Sequence, residues 1–418
     1  MSEPELASPS IATHAPAPLS LIHNAQFIEQ PGLQHWLTRL REGAVAREQQ
    51  RTLLFDELRT FAQWGLGTLR LPAELGGPGW TVPQLLDFVR LIAAHDPNAA
   101  HALRNHFLFV EIILSLPPGA LRQRWLLHIA DGALLGDANS ERTGPISKGG
   151  ASLLHKIAGG WRLNGRKFYS TGCIYADWLF VTAYDTAGHQ HWVMVPAQAP
   201  GVELIDDWDG FGQRLTGSGT TVFTDVFIPD ADILVEDMAR PGAVPKQGAF
   251  AQLYLTTAVA GVIDGILHDA TRLLQERPRN FPHGTTDSAR QDPLLLEGIG
   301  YLSTWSFAAS AAIRTAAQTI DTLQAARSAR LTEAETAQAA QAASLAAAQA
   351  KLLVDDLATR AATRLFDLAG ASATSTTLAL DRHWRNARTI ASHNPPAFKA
   401  RAIGDLHVND APLPRFFF

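Results

Sequence analysis

Residues 210–229 read GFGQRLTGSGTTVFTDVFIP, with four glycines in ten positions feeding an alternating, β-branched run that closes at Pro229. Glycine supplies backbone conformations that other residues adopt only with strain, so the first half is a tight loop. The second half alternates apolar and polar residues, as a half-buried strand does, and a proline ends it because it cannot donate to the ladder. A loop delivered directly into a buried strand requires a β-domain around it. The neighbouring runs WLFVTAY, HWVMVPA and VELIDDW, all short and rich in β-branched and aromatic residues, supply one. Asn164-Gly165 in LNGRKFYS is the strongest hairpin signal in the segment.

On both sides of this segment the periodicity is helical. From about Gln34 to Ala130 apolar residues recur at three- and four-residue spacing, interrupted by the Pro- and Gly-rich loop LRLPAELGGPGW at 69–80. Pro97 fits the first turn of a new helix. After Pro245 come two long apolar-periodic segments. An Ala-, Gln- and Leu-rich run follows from Leu331 to Leu368, with Gly370 as its stop. Helices, strands, then helices predict an α+β fold rather than alternating βαβ units, and no GxGxxG follows a strand. The expected domains are a disordered tail at 1–22, a helical domain at 23–135, a middle antiparallel β-domain at 136–240 and a C-terminal four-helix bundle at 241–418.

The 418 residues are 46% hydrophobic and 18% charged with a net charge of −5, ordinary for a globular protein and without the basic balance of a nucleic-acid binder. The single cysteine, Cys173, excludes an internal disulfide and argues against a cysteine-ligated metal site. The first twenty residues lack a basic n-region and an apolar h-region, and the apolar runs break short of the ~18 residues needed to span a bilayer. A cytoplasmic location is expected, without membrane or nucleic-acid partners. The acidic pairs Asp206-Asp207 and Asp355-Asp356 read as turn ends and solvated faces, and no metal site is expected.

Taken together, LRLPAELGGPGW, LNGRKFYSTG (163–172), the 210–229 segment, DLAG (367–370) and DRHWRNARTIASHNP (381–395) resemble, in order and spacing, the acyl-CoA dehydrogenase superfamily over roughly Leu53 to Gly404. ANSE (138–141), DDWDGFGQR (206–214) and HWRNART (383–389) bring the nearer likeness to its flavin-dependent monooxygenases, of the dibenzothiophene monooxygenase and sulfur-acquisition type. The resemblance implies reduced FMN (FAD remaining open) delivered by a separate NAD(P)H flavin reductase. It also implies oxygen activated at the flavin C4a carbon, a small organosulfur or other apolar substrate, and a homo-oligomer, a tetramer by the family's pattern.

Carried over residue by residue, the resemblance puts Ser140, Tyr169, Ser170 and Thr171 against the flavin ring, with the Thr171 hydroxyl steadying the oxygen adduct. The bland alternative is that these hydroxyls only satisfy local backbone groups. Arg277, with Arg279 as the nearby alternative, matches the arginine that reaches the flavin phosphate. Gly370 matches the glycine turn near the cofactor, and Arg385 is a structural or further cofactor contact. His106, in RNHFLF, and His393 match the monooxygenases' active-site histidines. Asp137 stands where those enzymes often show asparagine and Ile390 where they often show a second histidine, so both are expected to shape the substrate pocket.

The dehydrogenases' catalytic glutamate position falls on Asn394, and an amide cannot serve as a base. Two other readings stay open. One is an acyl-CoA dehydrogenase with its base relocated, for which Glu297 is a candidate. The other is a scaffold that has lost flavin binding.

Overall fold

The computed structural model describes residues 27–142, 152–235 and 247–414. The expected tail at 1–22 lies outside them. Helices α1 (Pro31–Gln50), α2 (Phe55–Gln63), α3 (Val82–His95), α4 (Pro97–Ala102), α5 (Arg104–Ser115) and α6 (Ala120–Ala130) come first. Their ends follow local chemistry. Thr81 and Gln84 form a reciprocal capping box on α3, and Asp96 caps α4 by accepting from the Asn98 N–H at 3.0 Å, with Pro97 in the first turn as expected.

Strands β1 (Leu135–Ala138), β2 (Leu153–Ile157), β3 (Gly160–Lys167), β4 (Trp178–Asp185), β5 (Gln190–Pro196), β6 (Val202–Ile205), β7 (Thr220–Pro229) and β8 (Ile233–Val235) form one sheet in the order β6-β7-β3-β2-β4-β5-β8, with β1 added alongside β4. Most pairings are antiparallel, as expected of the β-domain, but β4 runs parallel to both β1 and β2. The Asn-Gly expectation is corrected. Asn164-Gly165 lies inside β3, where the register against β7 shifts, and the β2–β3 turn falls at Gly159 instead. Gly165 is needed there for space: a Cβ would stand 2.3 Å from Ser152 Oγ. The pair makes a bulge because β7, far along the chain, holds the strand straight through it.

The C-terminal layer is α7 (Gly248–Glu276), α8 (Pro293–Ser328), α9 (Glu333–Ala369), α10 (Asp381–Ala391) and α11 (Pro396–Asn409). Gly370, at φ 68°, stops α9 as read from the sequence. Helix α7 is long and apolar enough to cross a bilayer, contrary to the expectation from apolar runs, but most of it is buried in the fold. Its apolar residues join those of α1–α4 and α8–α10 in one core, while a second core lies within the sheet. A third joins α5 and α6 to β1, β4 and β5, where the Phe109 and Phe180 rings stack at 4.0 Å. The glycine-rich 210–219 loop thus passes between the sheet and both helical layers.

Candidate active site

That loop is held by polar contacts from three directions. Gln213, at φ 55°, accepts from His101 Nδ1 through its side-chain oxygen at 2.9 Å, and its backbone N–H donates to Asn386 Oδ1 of α10 at 2.6 Å. The Thr216 hydroxyl donates to the Gln213 carbonyl at 2.9 Å and meets the Ser218 hydroxyl at 2.7 Å, which in turn meets Thr171 Oγ1 at 2.7 Å. The Thr171 carbonyl accepts from Asn105 of α5 at 2.9 Å. A hydroxyl and amide chain therefore joins Thr171 to His101.

His101 is a site residue that the sequence does not signal. It is buried, and burial, opposed by the Gln213 hydrogen bond, pushes its pKa down to about 4. The imidazole is neutral at pH 7, and with Nδ1–H donating to Gln213 its Nε2 is left as an acceptor. His393 follows α10. Its side chain is exposed, yet desolvation, helped by the charge of Arg104, pulls its pKa to about 3. The charges of Arg104 and His101 both act on His393, which puts the segment after α10 near the α4–α5 junction. Asp137 of β1 belongs to the same group. Burial drives its carboxyl up to about 6 against the pull of Arg104 and Lys167.

His106 is corrected. Its Nε2–H donates to the Gly67 carbonyl at 2.9 Å and its Nδ1 accepts from the Leu135 N–H at 3.3 Å, so both ring nitrogens are occupied by backbone. It clamps α5 to β1 and to the turn at Leu66–Thr68. His106→Ala is expected to lower the unfolding free energy by about 2–4 kcal/mol, since it leaves two buried backbone groups unpaired and a void. Denaturant titration of the purified variant measures this.

Other expected residues fall into place differently. Ser140 bridges Phe168, whose N–H donates to its carbonyl at 2.9 Å. Tyr169, at φ 58° and half exposed, stands edge-on to Trp208. Ser170 is buried, its N–H on the Gly219 carbonyl and its hydroxyl without a partner. Arg385 takes the structural one of its two expected roles: it bonds Glu48 of α1, Asp381 and the Phe211 carbonyl. Ile390 is buried in the helical core. Asn394 Nδ2 donates to Gln252 Oε1 of α7 at 2.7 Å. Asp355 is no solvated face but a buried partner of Lys351 at 2.6 Å. Glu297, the relocated-base candidate, is exposed on α8.

Arg277 and Gly370 meet elsewhere. Arg277 caps the end of α7 over the Phe281 ring at 3.7 Å, and a Cβ on Gly370 would strike that same ring. Arg277 and Leu368 line a cavity of about 240 Å³ there. Among the described residues no cluster of three or more His, Cys, Asp or Glu is placed to hold a metal.

Whether the cleft suits a flavin is tested by its unpaired atoms. Ser170 Oγ, Gln213 Nε2 and Gln252 Nε2 are all buried without hydrogen-bond partners. Native proteins rarely leave such atoms unmatched, and here Gln213 belongs to the 210–219 loop, Ser170 is bonded to it and Gln252 bonds Asn394 beside His393. A flat ligand with donors and acceptors along its edge, as an isoalloxazine has, matches that rim.

Comparison with known proteins agrees. Residues 253–395 match the family model for the acyl-CoA dehydrogenase C-terminal domain. The chain is 29% identical over 389 residues to the dibenzothiophene monooxygenase of Mycolicibacterium goodii, spanning 89% of this chain and 92% of that one. It is 27% identical to the "Probable FMNH2-dependent monooxygenase SfnC" of Pseudomonas putida, over 90% and 93% of the two chains. The structure of TdsC from Paenibacillus sp. A11-2 with FMN and indole superposes with a TM-score of 0.81 at 25% identity, covering 92% of this chain and 98% of that one. The fold is that of the acyl-CoA dehydrogenase superfamily. The two curated relatives named here are both monooxygenases.

Proposed function

We propose that this protein is the oxygenase component of a two-component system, taking reduced FMN from a separate NAD(P)H-dependent reductase and using O2 to oxidise a small organosulfur compound. The observation that carries this reading is the pair of neutral imidazoles, His101 and His393, set on a cleft whose rim of unpaired polar atoms fits a flavin. Bound reduced flavin supplies two electrons and the position at which oxygen is activated. The Ser170 hydroxyl and the Gln213 amide then have partners along the ring edge. Thr171, already tied to Ser218, is fixed in direction, so its hydroxyl offers one defined hydrogen bond. His101 Nε2 accepts and returns a proton, with the Gln213 contact holding its tautomer. His393, on which the His101 charge acts, is the second imidazole, supplied from beyond α10. One oxygen atom enters the substrate and the other leaves as water.

Arg277 is proposed to hold the flavin phosphate of a neighbouring subunit, because the cavity it lines sits at the end of α7, with Gly370 in the turn that follows Ala369 on its rim. The exposed apolar side chains Leu294, Leu296 and Phe307 on α8 support a homotetramer built through the C-terminal helices. A cytoplasmic location follows from the need for NAD(P)H and reduced flavin.

The test supplies NADH, a flavin reductase, FMN, O2 and an alkyl aryl sulfide. Sulfoxide formation that requires every component is expected. Anaerobic bleaching of bound flavin by an acyl-CoA would instead establish a dehydrogenase, and absence of any flavin binding would establish a scaffold.

A further inference from the structure

Arg104 takes no part in the proton transfer assigned to His101 and His393, yet its charge reaches both of them. It lies three residues beyond His101, and its charge acts on His101, His393, Asp137 and Tyr254. Other enclosed arginines here close on carboxylates: Arg47 on Asp96 at 2.9 Å, Arg70 on Glu111 at 2.5 Å, Arg382 on Asp269 at 2.6 Å. Arg104 does not. Its one hydrogen bond runs from Nη1 to the neutral amide oxygen of Asn105 at 3.1 Å, and its Nε is buried without a partner. Among the described residues no carboxylate comes within 4.0 Å of it. Asp137, the nearest in charge, also keeps Oδ1 buried and unpaired. Arg104 and Asp137 thus carry opposite charges that act on each other, form no ion pair and each keep a buried atom unpaired. A desolvated guanidinium with open donors is costly unless an anion completes it, and its planar fork suits an oxyacid group held through two oxygens.

We propose that Arg104 determines substrate specificity, and that the substrate is a small organic anion whose carboxylate or sulfonate group pairs with this guanidinium while its sulfur is turned toward His101 and His393. A carboxyl already drawn upward by burial, as at Asp137, takes a proton when such an anion joins it and then donates to the anion's other oxygen.

This inference rests on the oxygenase reading, and the experiment separates the two. Methyl phenyl sulfide and 4-(methylthio)benzoate present the same sulfur and differ in charge. With reductase, NADH, FMN and O2, the native protein is expected to show a kcat/KM at least about tenfold higher for the anion. Arg104→Gln should lower the anion-to-neutral ratio about tenfold to hundredfold through KM, the size of one or two charge-assisted hydrogen bonds, and Arg104→Lys should restore part of it. Calorimetric binding of 4-(methylsulfinyl)benzoate to the native protein, lost in Arg104→Gln, gives a readout independent of turnover, with circular dichroism confirming the fold. A native preference for the neutral sulfide, or a ratio unmoved by Arg104→Gln, overturns the proposal while leaving the oxygenase intact. If neither sulfide is oxidised, the oxygenase reading fails, and the calorimetry alone decides whether Arg104 binds an anion.

Discussion

His101→Ala and His393→Ala are each expected to lower kcat by about 10²–10⁴, the range that positioned proton-transfer groups contribute. The effect should be larger on product formed than on NADH consumed, because a cleft without these imidazoles still admits flavin and oxygen but no longer directs the proton. His101→Asn sharpens the test. It retains an amide able to donate to Gln213 and so preserves the loop, while removing the acceptor that Nε2 provides. If His101→Asn turns over at the native rate, His101 only anchors the loop. The ratio of product to NADH, measured for all three variants under saturating FMN, distinguishes these outcomes.

The second large effect is on stability in acid. Burial depresses His101 and His106 to about 4 in the folded chain, against about 6.5 when unfolded. Between these values the unfolded chain binds more protons, so their contribution is complete above pH 6.5 and is lost as pH falls toward 4. Each is worth about 3 kcal/mol at that limit, and together about 6 kcal/mol, a large share of a typical domain's stability. Asp137 offsets part of this, since burial raises its carboxyl to about 6 and its cost to the fold eases as pH falls below that value, whereas Asp269 acts lower. Burial raises Asp269, but His383 and Arg382 outweigh it and hold it well below the usual carboxylate range, so its loss comes below pH 4. Urea unfolding at pH 7.5, 6.0 and 5.0 should therefore show a steep fall in midpoint across the histidine window, and His106→Gln should flatten it. A midpoint constant from pH 7.5 to 5.0 would show that these imidazoles are not desolvated.

What the sequence shows is what local chemistry fixes. Thr81 with Gln84, Asp96 before Pro97, and Gly370 after a long periodic run each carry their own instruction, and the structure follows it. Where a distant segment decides, local reading fails. Asn164-Gly165 has the composition of a hairpin turn, but β7 pairs across it and makes a bulge. His101 and His106 are five residues apart on similar helical turns, and periodicity does not separate them. The 210–219 loop settles the matter by reaching His101, while β1 and the Gly67 carbonyl enclose His106. Arg385 resembles a cofactor contact in the linear chain because Glu48, 337 positions away, is invisible there as its partner. That Arg104 has no ion-pair partner among the described residues is likewise a property of three-dimensional neighbours alone.

Labelled oxygen tests the central claim most directly. The protein is supplied with a reductase, NADH, FMN and 18O2 in unlabelled water, and the sulfoxide is weighed by mass spectrometry. One 18O atom per product molecule is predicted, since the oxygen comes from the gas. Product carrying only solvent oxygen, or flavin that reoxidises while the sulfide stays intact, would contradict it.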